Sequence, residues 1–249
     1  MLFRDLLNFL LPNSCLMCRK RLNSEEKALC TSCYMRLPFT GYHLLKENSL
    51  EKYFWTLFPI QRATSLFYHE GFRTRHIVYT IKYYGRPKVG YYLAQNYARE
   101  LQDAHFFEGV DAIVPLPLHW KRQLSRHYNQ SHYIARGISS VTGIPVYTNV
   151  VKRIKNNPSQ THLSTRERVK NVEGIFQLKR PERIAGKHIL LVDDVTTTGS
   201  TLTSCAKELA KASHVTISIL TLAVATQSPL IIVKNTEVDS SPFGIPLVE

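Results

Sequence analysis

The chain has 249 residues, 44% of them apolar, the proportions of one soluble α/β domain with a small appendage. No apolar run reaches the roughly 20 residues that a membrane-spanning helix needs. The net charge is +13, from 32 Lys and Arg against 19 Asp and Glu, and calls for an anionic partner: polyphosphate, nucleic acid or an acidic membrane face.

Residues 1–11 are apolar but carry Arg4 and Asp5 and stop at Pro12. They lack the basic start and small-residue cleavage site of a signal peptide. Two readings fit them: a short helix packed on the module that follows, or one lying on a membrane surface. Packing is favoured, because so short a stripe binds bilayers weakly. Next come two Cys-x-x-Cys knuckles, Cys15 with Cys18 and Cys30 with Cys33. Four thiolates at this spacing suit tetrahedral zinc. A disulfide pair is disfavoured because nothing before the cysteines would export the chain, and a redox dithiol needs no second copy. Four protein ligands close the site, which makes the zinc structural. The segment is too short to bury a core, so the metal supplies much of its folding energy. This reading places a zinc module at 1–37, ended by Pro38, and a larger domain at 38–249.

Within the larger domain, 38–59 reads as irregular and aromatic. A strand is expected over 62–68, then a turn at Glu70-Gly71. Helical spacing follows over 72–101, broken by Gly85 and Pro87. A strand over 111–117 runs into a proline-rich loop. A helix over 131–141 stops near Gly143, and a strand is expected over 145–150. The polar, basic stretch 156–171 reads as a mobile loop. A central strand over 187–192 precedes a helix over 200–212, whose stripe of Leu202, Cys205, Ala206, Leu209 and Ala210 makes Cys205 a core residue. The last clear strand covers 215–225, and no pattern follows Gln227. Strands alternating with helices give a parallel sheet covered on both faces, with ligands beyond the carboxyl ends of the strands.

The charge is uneven. Residues 115–170 hold ten Lys or Arg and one acid, Glu167, so +9 of the +13 lies there. These cations interleave with Trp120, Tyr128, Tyr133 and several histidines. That composition suits phosphates and stacked bases, although a solvated basic surface is the plainer alternative.

The most informative run is His188-Ile-Leu-Leu-Val-Asp-Asp-Val-Thr-Thr-Thr-Gly-Ser-Thr201. A buried strand, two carboxylates, a small hydroxyl-rich loop and a helix start make an anion site. Thr196, Thr197, Thr198, Ser200 and Thr201 offer hydroxyl donors, and Gly199 lets the backbone approach a ligand. Asp193 and Asp194 would repel a bare phosphate, but they suit vicinal hydroxyls or a metal ion. A phosphate beside a ribose diol satisfies both halves. A Walker A loop lacks its lysine here, and a dinucleotide loop lacks two of its three glycines. The plain alternative is a hydroxyl-rich helix cap after an ordinary strand.

Five segments in order resemble the ComF family, up to about Ala225. They are the four-cysteine module and Ile81-Lys-Tyr-Tyr-Gly-Arg86, then Ile113-Val-Pro-Leu-Pro-Leu-His119 with Arg126-His-Tyr-Asn-Gln130. Gln160-Thr-His-Leu-Ser-Thr-Arg-Glu-Arg-Val-Lys-Asn171 and the Asp193–Thr201 run complete them. The last resembles the phosphoribosyl-pyrophosphate (PRPP) signature of type I phosphoribosyltransferases. The family usually has glycine where this chain has His127, which bears on pyrophosphate turnover.

The resemblance implies a type I phosphoribosyltransferase fold binding PRPP with Mg²⁺. Asp193 and Asp194 would hold the ribose hydroxyls, and Thr196, Thr197, Thr198, Gly199, Ser200 and Thr201 the 5′-phosphate. Lys82, Lys121, Arg122 and Arg126 are candidates for pyrophosphate, while Arg166, Arg168 and Lys170 would ride on a closing lid. Lys82, Arg126, Arg166 and Arg168 are the expected catalytic cations. The resemblance further implies DNA uptake in natural transformation. Its expected setting is cytoplasmic or peripheral at the inner membrane, with single-stranded DNA and competence machinery, a helicase or channel, as partners. The competing readings are a metabolic phosphoribosyltransferase acting on an unidentified nitrogen acceptor, and a zinc-ribbon nucleic-acid module on an inactive enzyme fold. The intact acid pair and threonine loop weigh against the latter.

Overall fold

In the computed structural model, residues 13–155 and 174–225 are described. The expected calls at 1–12, on the loop with Arg166, Arg168 and Lys170, and after Gln227 lie outside those residues. The chain opens with helices α1 (Thr31–Met35) and α2 (Ser49–Trp55), then strand β1 (Ala63–Tyr68) and helices α3 (Gly71–Tyr83) and α4 (Lys88–Asp103). Strand β2 (Ala112–Pro115), helices α5 (Trp120–Arg126) and α6 (Gln130–Thr142) and two short strands, β3 (Val151–Arg153) and β4 (Phe176–Leu178), follow. Strand β5 (His188–Thr196), helix α7 (Ser200–Leu209) and strand β6 (Thr216–Val224) complete it.

The main sheet runs β1-β6-β5-β2 with every neighbouring pair parallel, as the alternation of elements predicted. Parallel sheets need both faces covered, and successive side chains on β5 serve the two faces in turn. Ile189 and Leu191 join Ala112, Val114, Ile217 and Ile219 against Leu202, Cys205 and Leu209 of α7. Leu190 and Val192 join Ile113, Leu220 and Leu222 against Ile77 and Ile81 of α3, Leu93 and Tyr97 of α4, and Ile134 of α6. Each of these fully buried side chains contributes roughly 1.5–3 kcal/mol relative to an exposed one. Cys205 is wholly buried in the first of these clusters, the core residue its helical spacing implied. Helices α4 and α6 pack so tightly that a β-carbon on Gly137 would collide with the carbonyl of Tyr91.

The cysteine module is not a free appendage. Leu16, Leu29, Cys30 and Leu37 share the core that α3 and α4 cover, and the Tyr34 hydroxyl donates to Glu100 Oε1 on α4 at 2.9 Å.

Three expectations are corrected. The stretch 38–59 contains α2, started by a capping box in which Asn48 accepts from the backbone of Glu51 and Glu51 accepts from that of Asn48. The strand expected over 145–150 reduces to one parallel bridge, Ile113 with Val146. Pro145 has no N–H to give a ladder, and pairing begins at Val151, antiparallel to β4. Finally, β5 runs four residues past Val192 to Thr196, because β6 continues to pair with it up to Thr196 and Val224.

Among the described residues no helix is long and apolar enough to cross a membrane.

Candidate functional site

The acid pair lies in the late part of β5, where Asp193 is still in register with Thr221 of β6. Asp193 Oδ1 accepts from the Ser131 hydroxyl at 2.8 Å and from the Asp194 backbone N–H at 2.8 Å. Asp194 Oδ2 lies 3.3 Å from Lys82 Nζ, which α3 delivers from the covering layer. Burial, and then the neighbouring Asp194 carboxylate, push the Asp193 carboxyl up to about 7. Burial works against the Lys82 ammonium, but the two carboxylates outweigh it and raise its pKa. Two carboxyl groups and the Lys82 ammonium therefore share a buried corner, and the Arg153 charge also reaches Asp193.

The next residues form the loop. Gly199 has φ of 65°, and a β-carbon there would sit 2.9 Å from Cε1 of Phe54. Both facts require glycine. The Tyr53 hydroxyl donates to the Thr198 carbonyl at 3.0 Å. Helix α2 thus backs the loop, a support that the sequence reading missed and that the Asn48-x-x-Glu51 capping signal would have revealed. Thr198 Oγ1 and Ser200 Oγ are 2.8 Å apart, and α7 starts at Ser200 with its first N–H groups directed out of the helix. Thr196 Oγ1 is buried here without a hydrogen-bond partner, and Asp194 Oδ2 accepts no hydrogen bond and has the Lys82 ammonium beside it at 3.3 Å. Buried polar groups are rarely left so, and an acceptor beside a hydroxyl fits a diol and phosphate donor set.

A cationic wall stands beside the acids. The Arg126 guanidinium lies 4.8 Å over the Tyr83 ring and its Nη1 donates to Gln130 Oε1 at 3.1 Å. Arg153 is only 7% exposed, and its charge feels both Arg122 and Asp193. Burial first, then Arg153, Lys121, Arg122 and Lys152 in turn, hold the His119 imidazole below its ordinary pKa. So many cations around one buried ring mark a strongly positive pocket. The structure brings Lys82 to the acid pair and places Arg126 over Tyr83, the residue after Lys82. It also adds Arg153, one of the ten cations of 115–170, which is buried while Lys152 and Lys155 are exposed.

His127 ends α5 with φ of 64°, its N–H donating to the Gln123 carbonyl at 2.7 Å. Glycine is favoured at such a left-handed cap, and the histidine here adopts it at φ of 64°.

At the other end of the molecule the Sγ atoms of Cys15, Cys18, Cys30 and Cys33 all lie within 4.8 Å of one another. Cys18 and Cys30 Sγ are 3.7 Å apart, close to the edge of about 3.8 Å that Zn–S bonds of about 2.3 Å give a tetrahedron. Burial works against a Cys15 thiolate, but backbone donors from Cys18, Cys30 and Met17 outweigh it and bring its pKa to about 6. The donor set fits structural zinc.

Residues 129–239 match the phosphoribosyl transferase domain family, and residues 6–44 the double zinc ribbon domain family. Competence protein F of Haemophilus influenzae is 29% identical over 229 residues, covering 85% of this chain and 96% of that protein. DNA utilization protein YhgH of Escherichia coli K12 is 29% identical, covering 78% of this chain and 83% of that one. Competence protein ComFC of Bacillus subtilis is 30% identical, covering 49% and 47%. The chain is thus similar over most of its length to competence protein F and YhgH, and it joins a phosphoribosyl transferase-type domain to an N-terminal four-cysteine zinc-ribbon module.

Proposed function

We propose that this protein binds Mg²⁺-PRPP at Asp193–Thr201 as part of a role in DNA uptake during competence, a reading supported by relatives named competence protein and DNA utilization protein. The observation that carries the reading is the buried acid pair, with the Lys82 ammonium 3.3 Å from Asp194 Oδ2, followed directly by Thr196, whose buried hydroxyl has no hydrogen-bond partner, and the hydroxyl-rich loop. Asp193 and Asp194 receive the ribose diol or its magnesium. Thr196 to Thr201 and the start of α7 receive the 5′-phosphate. Magnesium, when bound, neutralises the pyrophosphate and balances the acids. Lys82 holds Asp194 in place, and Arg126, Arg122 and Lys121 attract the pyrophosphate. Arg166, Arg168 and Lys170 close over the ligand and exclude water. Single-stranded DNA, engaged through exposed cations such as Lys152 and Lys155, and a helicase or channel of the competence machinery are the proposed partners. The proposed setting is the cytoplasmic side of the inner membrane.

The test is a thermal melt with Mg²⁺-PRPP. At a concentration of about 100 times its Kd, a ligand specific to the folded state adds about 2.7 kcal/mol. For a chain of this size that raises Tm by roughly 5–10 °C. Asp193→Asn with Asp194→Asn abolishes the rise. A double variant that responds like the parent would remove the acid pair from the site. Pyrophosphate release with an amine or base, together with normal transformation after deletion of the gene, would move the assignment to a metabolic phosphoribosyltransferase.

A further inference from the structure

Helix α3 buries one face and leaves the other open. Thr74, Ile77, Val78 and Ile81 are buried. Phe72, Tyr79, Tyr83 and, just past the helix, Tyr84 are 84%, 54%, 60% and 61% exposed. Positions 72, 76, 79 and 83 recur at helical spacing, so their side chains line one stripe. Phe72 stacks on His76 with ring centroids 6.0 Å apart and planes 6° from parallel. His76 meets Tyr84 at 6.2 Å, and Tyr79 meets Tyr83 at 5.4 Å. Tyr83 in turn lies under the Arg126 guanidinium, so the track of rings ends at the cationic wall of the candidate site.

Large exposed rings gathered in one place mark an interaction surface. What lies between them identifies the partner. Residues 71–88 contain five Lys or Arg and no acid. Arg73, Arg75, Arg86 and Lys88 are exposed beside the rings. A second copy of this face would bring like charges together, and an apolar partner would leave the arginines unpaired. A nucleic-acid duplex offers phosphates but hides the faces of its bases. A single strand offers both, and stacking accepts any base.

We propose that the open face of α3, continued through Tyr84 and Arg86, is a stacking platform for single-stranded nucleic acid that leads to the Arg126 edge of the candidate site. The inference rests on the nucleic-acid part of the function proposed above and moves its aromatic contacts to a new place. Of the rings expected from sequence to stack on bases, Trp120 is exposed, while Tyr128 is partly buried and donates its hydroxyl to the Ile81 carbonyl at 2.7 Å.

The experiment uses the full zinc-loaded chain, a fluorescent oligothymidylate and a duplex of equal length, with affinity read by anisotropy over a range of salt. The variant is Phe72→Ser with Tyr79→Ser and Tyr84→Ser, all exposed positions. Loss of stacked bases weakens single-strand binding by about 30-fold or more. The salt slope stays unchanged, because no phosphate contact is removed. Duplex binding and the melting shift with Mg²⁺-PRPP also stay as they were. If the parent binds the single strand and the variant binds it equally tightly, the platform is refuted while nucleic-acid binding stands. No single-strand binding by the parent at low salt removes both. Equal losses for single strand and duplex refute stacking. Reduced self-association in sedimentation, with nucleic-acid binding intact, gives the face to a second copy and overturns the proposal.

Discussion

Asp193→Asn should make the ligand-free protein more stable, and increasingly so as pH rises. Asparagine can keep both hydrogen bonds that Asp193 Oδ1 accepts, from Ser131 and from the Asp194 N–H. It removes only the ionisation. The Asp193 carboxyl is raised from 3.8 to about 7 in the folded state. The folded protein therefore binds this proton more tightly than the unfolded chain. Stability falls as pH climbs from about 4 to about 7, and the whole penalty is in place above that window. The gap of about 3 units at 1.36 kcal/mol each sets an upper bound of about 4 kcal/mol. Other groups titrate in the same range, including His119 and His188, whose lowered values act in the opposite sense. The difference between parent and variant cancels them. Urea denaturation of both proteins at pH 5, 7 and 8.5, without ligand or divalent metal, gives that difference directly. A gap that stays flat or shrinks with pH would refute the idea that a destabilised carboxylate waits for a cation or a diol. The same variant should respond weakly to Mg²⁺-PRPP, because the charge that costs stability is the one proposed to hold the ligand.

Three further outcomes follow from other parts of the molecule. Metal analysis of reduced, purified protein should find about one zinc per chain, and Cys15→Ser should lose it and expose the module to protease; protein without zinc would sink the four-thiolate reading. Gly199→Ala combines a left-handed φ with a β-carbon 2.9 Å from the Phe54 ring. It should cost about 2–4 kcal/mol in denaturant titrations and weaken Mg²⁺-PRPP binding; a neutral substitution would show that α2 does not brace the loop. Lys152→Glu with Lys155→Glu should make the log-log salt slope of single-stranded DNA binding about 1.4 units shallower, at about 0.7 per phosphate lost. An unchanged slope would take these two lysines out of the interface.

The sheet and the loop were legible because each leaves a local trace. An apolar run such as Ile189 to Val192 is what a strand buried on both faces must look like, and acids before a hydroxyl-rich helix start are dense enough to stand apart from ordinary caps. The two cysteine knuckles are read the same way, since ligand spacing is itself the signal. Helix α2 was missed for a different reason. Its periodicity is short and mixed with aromatics that serve as props, and only the Asn48–Glu51 cap announces it.

Arg153 shows where sequence stops. In the chain it sits between Lys152 and Lys155 and looks like one of three surface cations. The β3–β4 pairing turns it inward over Phe176, 5.8 Å from the ring centre, where its charge reaches Asp193. Strand alternation then leaves Lys152 outside, so neighbours in sequence face opposite sides of the strand. The same logic separates the rings. Tyr128 looked like a stacking side chain because arginines flank it, yet its hydroxyl is spent on the backbone of α3. Phe72 and Tyr79 face water. Charge and aromaticity can be counted in a sequence. Which of them remain available to a ligand depends on the side to which each strand and helix is turned, and that is fixed by the packing of β5, α3 and α4 around a shared core.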